Sequence, residues 1–365
     1  MHKERDDQSK ASNPVHQWLF EAAALEASDL HLIDGYPPML RIHGQLKELS
    51  DPAPDAVQRQ QWILDLVPAE AKERLIANRN VDFALQLSQA NIQRRFRANY
   101  FYAADKIGAC FRVIPDKIPD LEWAGFPREL AEKLTSFRNG LVISCGVTGA
   151  GKTTTLAMLL KMLCESDGYR IITIEEPIEY VFPTTNGSVV TQREIGRDVL
   201  SFDEGLMYSL RQDPDVILVG EIRDRETAQT ALRAAETGHL VFASLHTRDA
   251  KGAISRYADL FTQETQQEVR SQLSVSLRAV ISQHLLPSVF EAEKRELALE
   301  VMFNNSPISV AIRQGRLDSI DNAILTGRAD GMITLNESVR RLYQAGNISR
   351  ETAERFTTDA HYLKN

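Results

Sequence analysis

Only three cysteines, Cys110, Cys145 and Cys164, occur in the 365 residues, widely spaced and with no Cys-x-x-Cys pair. That excludes a tetracysteine zinc site or a dithiol redox couple and leaves buried free thiols in a reducing compartment as the reading. No stretch reaches the roughly 18 to 20 consecutive apolar residues of a membrane-spanning helix. The segment Met1–Lys10 is charged where a secretory signal would be apolar. Any membrane role is therefore expected to run through a partner. Positive charge is also scarce: 42 Lys and Arg against 50 Asp and Glu leave a formal charge of −8. Such a field repels DNA and anionic lipid, so no nucleic-acid partner is expected. There is no internal repeat and no low-complexity tract.

What is present suits a globular protein, with 43% hydrophobic and 25% charged residues. The length exceeds what one core usually supports and predicts two domains. Residues 16–27 carry helical spacing. Asp29 to Leu46 alternates as two strands would around Asp34-Gly35 and Pro37-Pro38. Helical periodicity returns over Asp55 to Ala77, and alternation over Val81 to Leu87, Ile92 to Tyr102 and Gly108 to Ile114. Pro115, Pro119 and Pro127 then fix several φ angles and remove backbone donors, which predicts a linker. From Leu141, short apolar runs alternate with helical segments, the pattern of a mostly parallel sheet covered on both faces, hence an α/β domain. After Thr265 the spacing reads as helical almost to the end. The divisions expected are a flexible N-terminus at 1–14, a first domain at 15–114, a linker at 115–127, a core at 128–288 and a C-terminal helical region at 289–365.

The core opens on Gly146-Val147-Thr148-Gly149-Ala150-Gly151-Lys152-Thr153, which satisfies G-x-x-x-x-G-K-[ST] between an apolar strand and a helix. In that context backbone N–H groups and the helix dipole cradle the phosphates of ATP. Lys152 would contact the β and γ phosphates and Thr153 would ligate Mg²⁺, with Thr154 expected beside them. A second apolar strand, Val216 to Gly220, delivers Glu221 to the strand end where ligands bind in such sheets, making Glu221 the candidate to orient or deprotonate water. The acid expected one position earlier is Gly220. Glu175, at the end of the strand Ile171–Ile174, is the candidate to supply the missing charge near Mg²⁺. His239 and His246 bracket the strand Leu240–Leu245, and either imidazole is a candidate sensor of the γ-phosphate, His246 more than His239.

These strings, together with ASDLHLIDGYPPMLRIHGQL, FRVIPDKIPDL, IEEPIEY, LRQDPDVILVGEIRDRETAQTALRAAETGHLVFASLHT and VISQHLLP, resemble the secretion-superfamily ATPases and, within them, the type IV pilus retraction motors of the PilT/PilU kind. The resemblance spans about Ala27 to Ala345. It implies a smaller PAS-like α+β domain followed by a RecA-like P-loop NTPase domain with trailing helices. It also implies a homohexamer at the cytoplasmic face of the inner membrane, an integral PilC-like platform protein as partner, a paralogous retraction ATPase as a possible second partner, and ATP hydrolysis driving pilin disassembly. Glu175-Glu176-Pro177 departs from the family's commoner Glu-Asp-Pro, and Ser306–Gly315 matches the family's C-terminal retraction motif only loosely. Two rival readings are a nucleotide-binding scaffold with little turnover and a motor of another secretion system, as in the DotB-like ATPases.

In that family arginines of the PAS-like domain reach the nucleotide, and the matching positions are Arg97 and Arg112. A hairpin turning near Ala104-Asp105 would set these two side by side, an unfavourable pairing unless an anion lies between them. The anion expected is the ATP γ-phosphate, approached within the chain or from an adjacent subunit.

Overall fold

The computed structural model describes residues 13–42, 45–49, 55–90, 92–166, 168–185, 187–290, 295–357 and 363. Most of the N-terminal stretch expected to be flexible lies outside them. The chain divides into two units between Lys117 and Ile118. The first contains α1 (Pro14–Ala24), β1 (Asp29–Leu32), β2 (Met39–Ile42), β3 (Gln45–Glu48), α2 (Ala56–Asp65), α3 (Ala69–Asn78), β4 (Asn80–Gln89), β5 (Ile92–Ala103) and β6 (Lys106–Ile114). Asn13 caps α1 by accepting from Val15 N at 3.1 Å, with Pro14 at the first helical position where no N–H is needed. Trp18, Leu19 and Ala22 then face the core. The six strands form an antiparallel sheet in the order β3-β2-β1-β6-β5-β4.

In β5 the alternation buries Phe96, Ala98 and Tyr100 and leaves Arg97 and Asn99 on the opposite face. Tyr100 stacks edge-on against Phe111 and donates from its buried hydroxyl to Ile63 O at 3.0 Å. Ala104 and Asp105 both adopt left-handed backbone, φ 49° and 62°, and close a two-residue hairpin turn between β5 and β6. The turn position expected from the sequence is the one observed. Two expectations need refining: Gln45–Glu48 adds a third strand to the early meander, and Pro68 divides the 55–77 helical stretch into two helices.

The second unit contains α4 (Arg128–Thr135), β7 (Gly140–Cys145), α5 (Lys152–Glu165), β8 (Arg170–Glu175), β9 (Val189–Glu194), α6 (Phe202–Ser209), β10 (Val216–Val219), α7 (Arg225–Glu236), β11 (Leu240–Leu245), α8 (Ala250–Asp259), α9 (Gln263–Ser276), β12 (Leu277–Pro287), β13 (Arg295–Phe303), α10 (Ser306–Gln314), α11 (Ile320–Thr326), α12 (Leu335–Gln344) and α13 (Arg350–Phe356). Its sheet runs β13-β12-β7-β11-β10-β8-β9, and every pairing is parallel except β12 with β13. All residues of β7, β10 and β11 are buried, as strands covered on both faces must be.

Three expectations are corrected here. Residues after Thr265 are not helical throughout: β12 pairs with β7 and β13 with β12, so the supposed C-terminal helical region begins with sheet. The continuously apolar stretches of a buried strand show no period-2 signal and so imitate a helix. β9, too polar to count among the short apolar runs, pairs in parallel with β8 as a further strand of the sheet. Finally, Ile118 and Phe126 pack in the core of the second unit, so most of the 115–127 stretch is part of that unit rather than a free linker.

Candidate functional site

β7 ends at Cys145 and α5 begins at Lys152, so residues 146–151 form the turn between a buried strand and a helix N-terminus. Gly146 has φ 152°, and a Cβ there would fall 2.7 Å from Gln283 O on β12. Only glycine lets the loop leave the sheet this close to its neighbour. Lys152, 8% exposed, donates from Nζ to Gly146 O at 2.8 Å and Val147 O at 3.2 Å. Burial pushes its ammonium below the ordinary lysine value, while Cys145, Glu221 and Glu179 oppose that shift.

The parallel register carries the neighbouring strand ends to the same edge. Leu245 pairs with Cys145, so His246 follows β11 beside the loop. Val219 pairs with Ala243 and Ile174, bringing Glu221 and Glu175 to that edge as well. A connected series of side chains results. Lys152 Nζ lies 3.5 Å from His246 Nδ1, and His246 Nε2 lies 3.1 Å from Glu221 Oε2. Lysine can only donate, so in the tautomer whose Nδ1 accepts from Lys152 the ring N–H on Nε2 faces the carboxylate. Glu221 Oε1 meets an Arg223 terminal nitrogen at 2.5 Å, and the other terminal nitrogen of Arg223 donates to Glu176 at 2.9 Å.

Glu175 is buried at 5% exposure and accepts from Thr173 Oγ1 at 2.6 Å and Gln192 Nε2 at 3.1 Å. Gln192 also donates to Tyr180 O at 2.8 Å, and the Tyr180 hydroxyl meets Thr154 Oγ1 at 3.0 Å. The acidic strand end is thereby tied to the first turn of α5. Gly220 sits in a tight place: a Cβ there would lie 3.1 Å from Ile174 O, so any side chain at this position must push its neighbour aside.

His239 is not part of this group. It precedes β11, and its Nδ1 meets Ala234 O at 3.0 Å and Thr237 Oγ1 at 3.2 Å. A six-residue strand separates it from His246 by roughly 20 Å. The two histidines therefore stand at opposite edges of the sheet, and only His246 reaches the phosphate loop.

Arg97 and Arg112 are direct register partners on β5 and β6. The like charges are met inside the unit, where Arg97 Nε lies 3.4 Å from Asp82 and Arg112 Nε 3.1 Å from Asp29. An intervening anion is thus not needed to explain the pair, which corrects the reason given for expecting one. Each contact uses only Nε, and among the described residues the terminal nitrogens carry no hydrogen bond. With Asn99 and Cys110 these groups line a concavity of about 320 Å³.

Residues that sequence reasoning missed lie in support. Gln283, 1% exposed, accepts from Ser144 Oγ at 2.9 Å and donates to Thr155 Oγ1 at 2.8 Å, joining the strand before the loop to the helix after it. A lone amide inside the apolar run of VISQHLLP was the available signal, lost because that run had read as helix.

The profile of the type II/IV secretion system protein family matches residues 4–362. The type IV pilus retractation ATPase PilT of Pseudomonas aeruginosa is 41% identical over 339 residues, covering 93% of this chain and 96% of that protein. A twitching motility protein of Neisseria gonorrhoeae is 36% identical over 355 residues, covering 93% of each. Among solved structures, the pilus retraction motor PilT with bound ADP aligns at a TM-score of 0.85 and 39% identity, covering 98% of this chain and 99% of that one. A match along nearly the whole length, on a chain whose phosphate loop and strand-end glutamate share one sheet edge, places this protein in the type II/IV secretion system protein family, among its PilT-like retraction ATPases.

Proposed function

We propose that this protein is an ATP-hydrolysing motor that powers type IV pilus retraction. The observation that carries the reading is the convergence of Lys152, His246 and Glu221, from three adjacent strand ends, at the turn that would hold the phosphates. The backbone N–H groups of the loop and the N-terminus of α5 bind phosphate, and Lys152 places a charge against it. Glu221 has lone pairs left over from its two contacts and orients or deprotonates the attacking water. His246, linked to both Lys152 and Glu221, is set to report phosphate position to the carboxylate.

Mg²⁺ takes one or two protein ligands beside phosphates and waters. Thr153 in the first turn of α5 would hold it, with Glu175 supplying negative charge nearby, and the ion would neutralise charge on the phosphates. Arg97 and Arg112 are assigned to the charge that develops on the γ-phosphate. A homohexameric ring, a membrane platform partner and a place at the cytoplasmic face of the inner membrane belong to the same reading. Among the described residues no helix is long and apolar enough to cross a membrane.

Steady-state ATPase measurement on the full chain tests the chemistry: Glu221→Gln is expected to lower kcat by at least about 100-fold. Complementation of a twitching-deficient retraction mutant tests the motor assignment. An unchanged rate in Glu221→Gln rejects the first, and an active enzyme that never restores twitching rejects the second.

A further inference from the structure

We propose that Arg223 is a positioning residue for hydrolysis, holding the Glu221 carboxylate in plane by bridging it to Glu176. This rests on the reading of Glu221 given above. Glu221 extends from the loop just beyond β10 on a side chain with three rotatable bonds, and nothing in its own backbone fixes the orientation of the carboxylate. Two contacts on two different oxygens do so: His246 Nε2 on Oε2 at 3.1 Å and Arg223 on Oε1 at 2.5 Å. A carboxylate gripped at both oxygens loses its terminal torsion while keeping lone pairs for water.

Arg223 could not serve as an anchor if it were itself free. Its side chain is 56% exposed, and a long exposed guanidinium ordinarily samples many rotamers. Here the second terminal nitrogen is fixed 2.9 Å from Glu176, in the turn after β8. The planar fork therefore spans two strand ends, β10 and β8, and can rotate away only by breaking both charge-assisted bonds. Those two carboxylates, Glu221 first, hold the guanidinium still more firmly charged than usual.

The fork also brings one positive charge between two carboxylates at an edge that would receive a polyanion. The contacts of Arg223 are to Glu221 and Glu176, so the effect proposed for it runs through Glu221. Glu176, an acid before a proline in the sequence, becomes the fixed end of the support.

ATP turnover by the full-length chain tests this with Arg223→Ala, Arg223→Lys, Glu176→Gln, Glu221→Gln and the double variant Glu221→Gln/Arg223→Ala. Arg223→Ala is expected to lower kcat about 10-fold with KM for ATP within about twofold. Arg223→Lys should recover part of the loss, and Glu176→Gln should lose less than Arg223→Ala in the same direction. Thermal melting of each variant confirms that it is folded. The distinguishing readout is the double variant. If Arg223 acts through Glu221, adding Arg223→Ala to Glu221→Gln costs nothing further; an independent structural role would multiply the two losses. A folded Arg223→Ala with wild-type kcat beside an inactive Glu221→Gln overturns the positioning role alone. Wild-type turnover by Glu221→Gln overturns the reading beneath it.

Discussion

Gln283 and Thr155, 128 residues apart in the chain, meet through a 2.8 Å hydrogen bond at the base of the phosphate loop. The other end of the same amide accepts from Ser144, 139 residues away. Replacing Gln283 by Ala leaves two buried hydroxyls without this partner, at about 1–3 kcal/mol for each. Denaturant unfolding should register a loss of that order, and titration with ATP should show weaker binding, because both flanks of the loop lose their common strut. Unaltered affinity in a folded variant would limit the amide to a role in stability.

The close approach at Gly220 gives a second test. A Cβ there would press on Ile174 O at 3.1 Å and on Phe202 at 3.4 Å. Gly220→Ala is expected to cost about 1–3 kcal/mol of stability as overpacking. Gly220→Asp, which restores the acid common elsewhere at this position, should cost more and should not raise turnover. A stable, faster Asp variant would show that the glycine is not there for space.

Glu300, on β13, gives a pH dependence. Burial pushes its carboxyl up from 4.5 to about 7, Asp249 and Asp321 push the same way, and the Ala250 N–H that it accepts at 2.8 Å opposes them. A folded-state pKa above the unfolded value means the native protein holds the proton more tightly. The stabilisation is thus complete below pH 4.5 and is lost as pH rises through about 7. Glu300→Gln keeps an acceptor for Ala250 and removes the titration. Its stability relative to wild type should climb across that window by on the order of 3 kcal/mol. A difference flat in pH would contradict the assignment.

For the arginine pair the expectation separates rate from affinity. Arg97→Ala or Arg112→Ala should lower kcat about 100-fold, as loss of a charge-stabilising donor does, and change KM for ATP far less. Asp82→Asn and Asp29→Asn serve as the comparison, since they remove the partners that the structure shows for each guanidinium. If the arginines act only on those carboxylates, the Asp and Arg variants will behave alike.

Much of this arrangement is legible by counting. The strand–turn–helix around Lys152 is local, and the Arg97/Arg112 pairing follows from a hairpin midpoint, because one antiparallel turn fixes every partner along it. The β12 strand is not legible, because its burial pattern comes from β7 on one side and β13 on the other. Nor does distance along the chain distinguish His239 from His246: a strand carries its two ends to opposite edges, and direction is set only by the parallel register with β7. Arg223 was invisible as a support for the same reason. Glu176 lies 47 residues earlier and meets it only once β8 and β10 are side by side.

The place of β12 next to β7 also changes how damage to the C-terminal part of the gene should be read. A premature stop shortly after α9 would not trim trailing helices from a finished ATPase. It would remove the strand whose carbonyl abuts Gly146 and whose amide joins Ser144 to Thr155. Nonsense alleles in this region should therefore behave as nucleotide-site nulls.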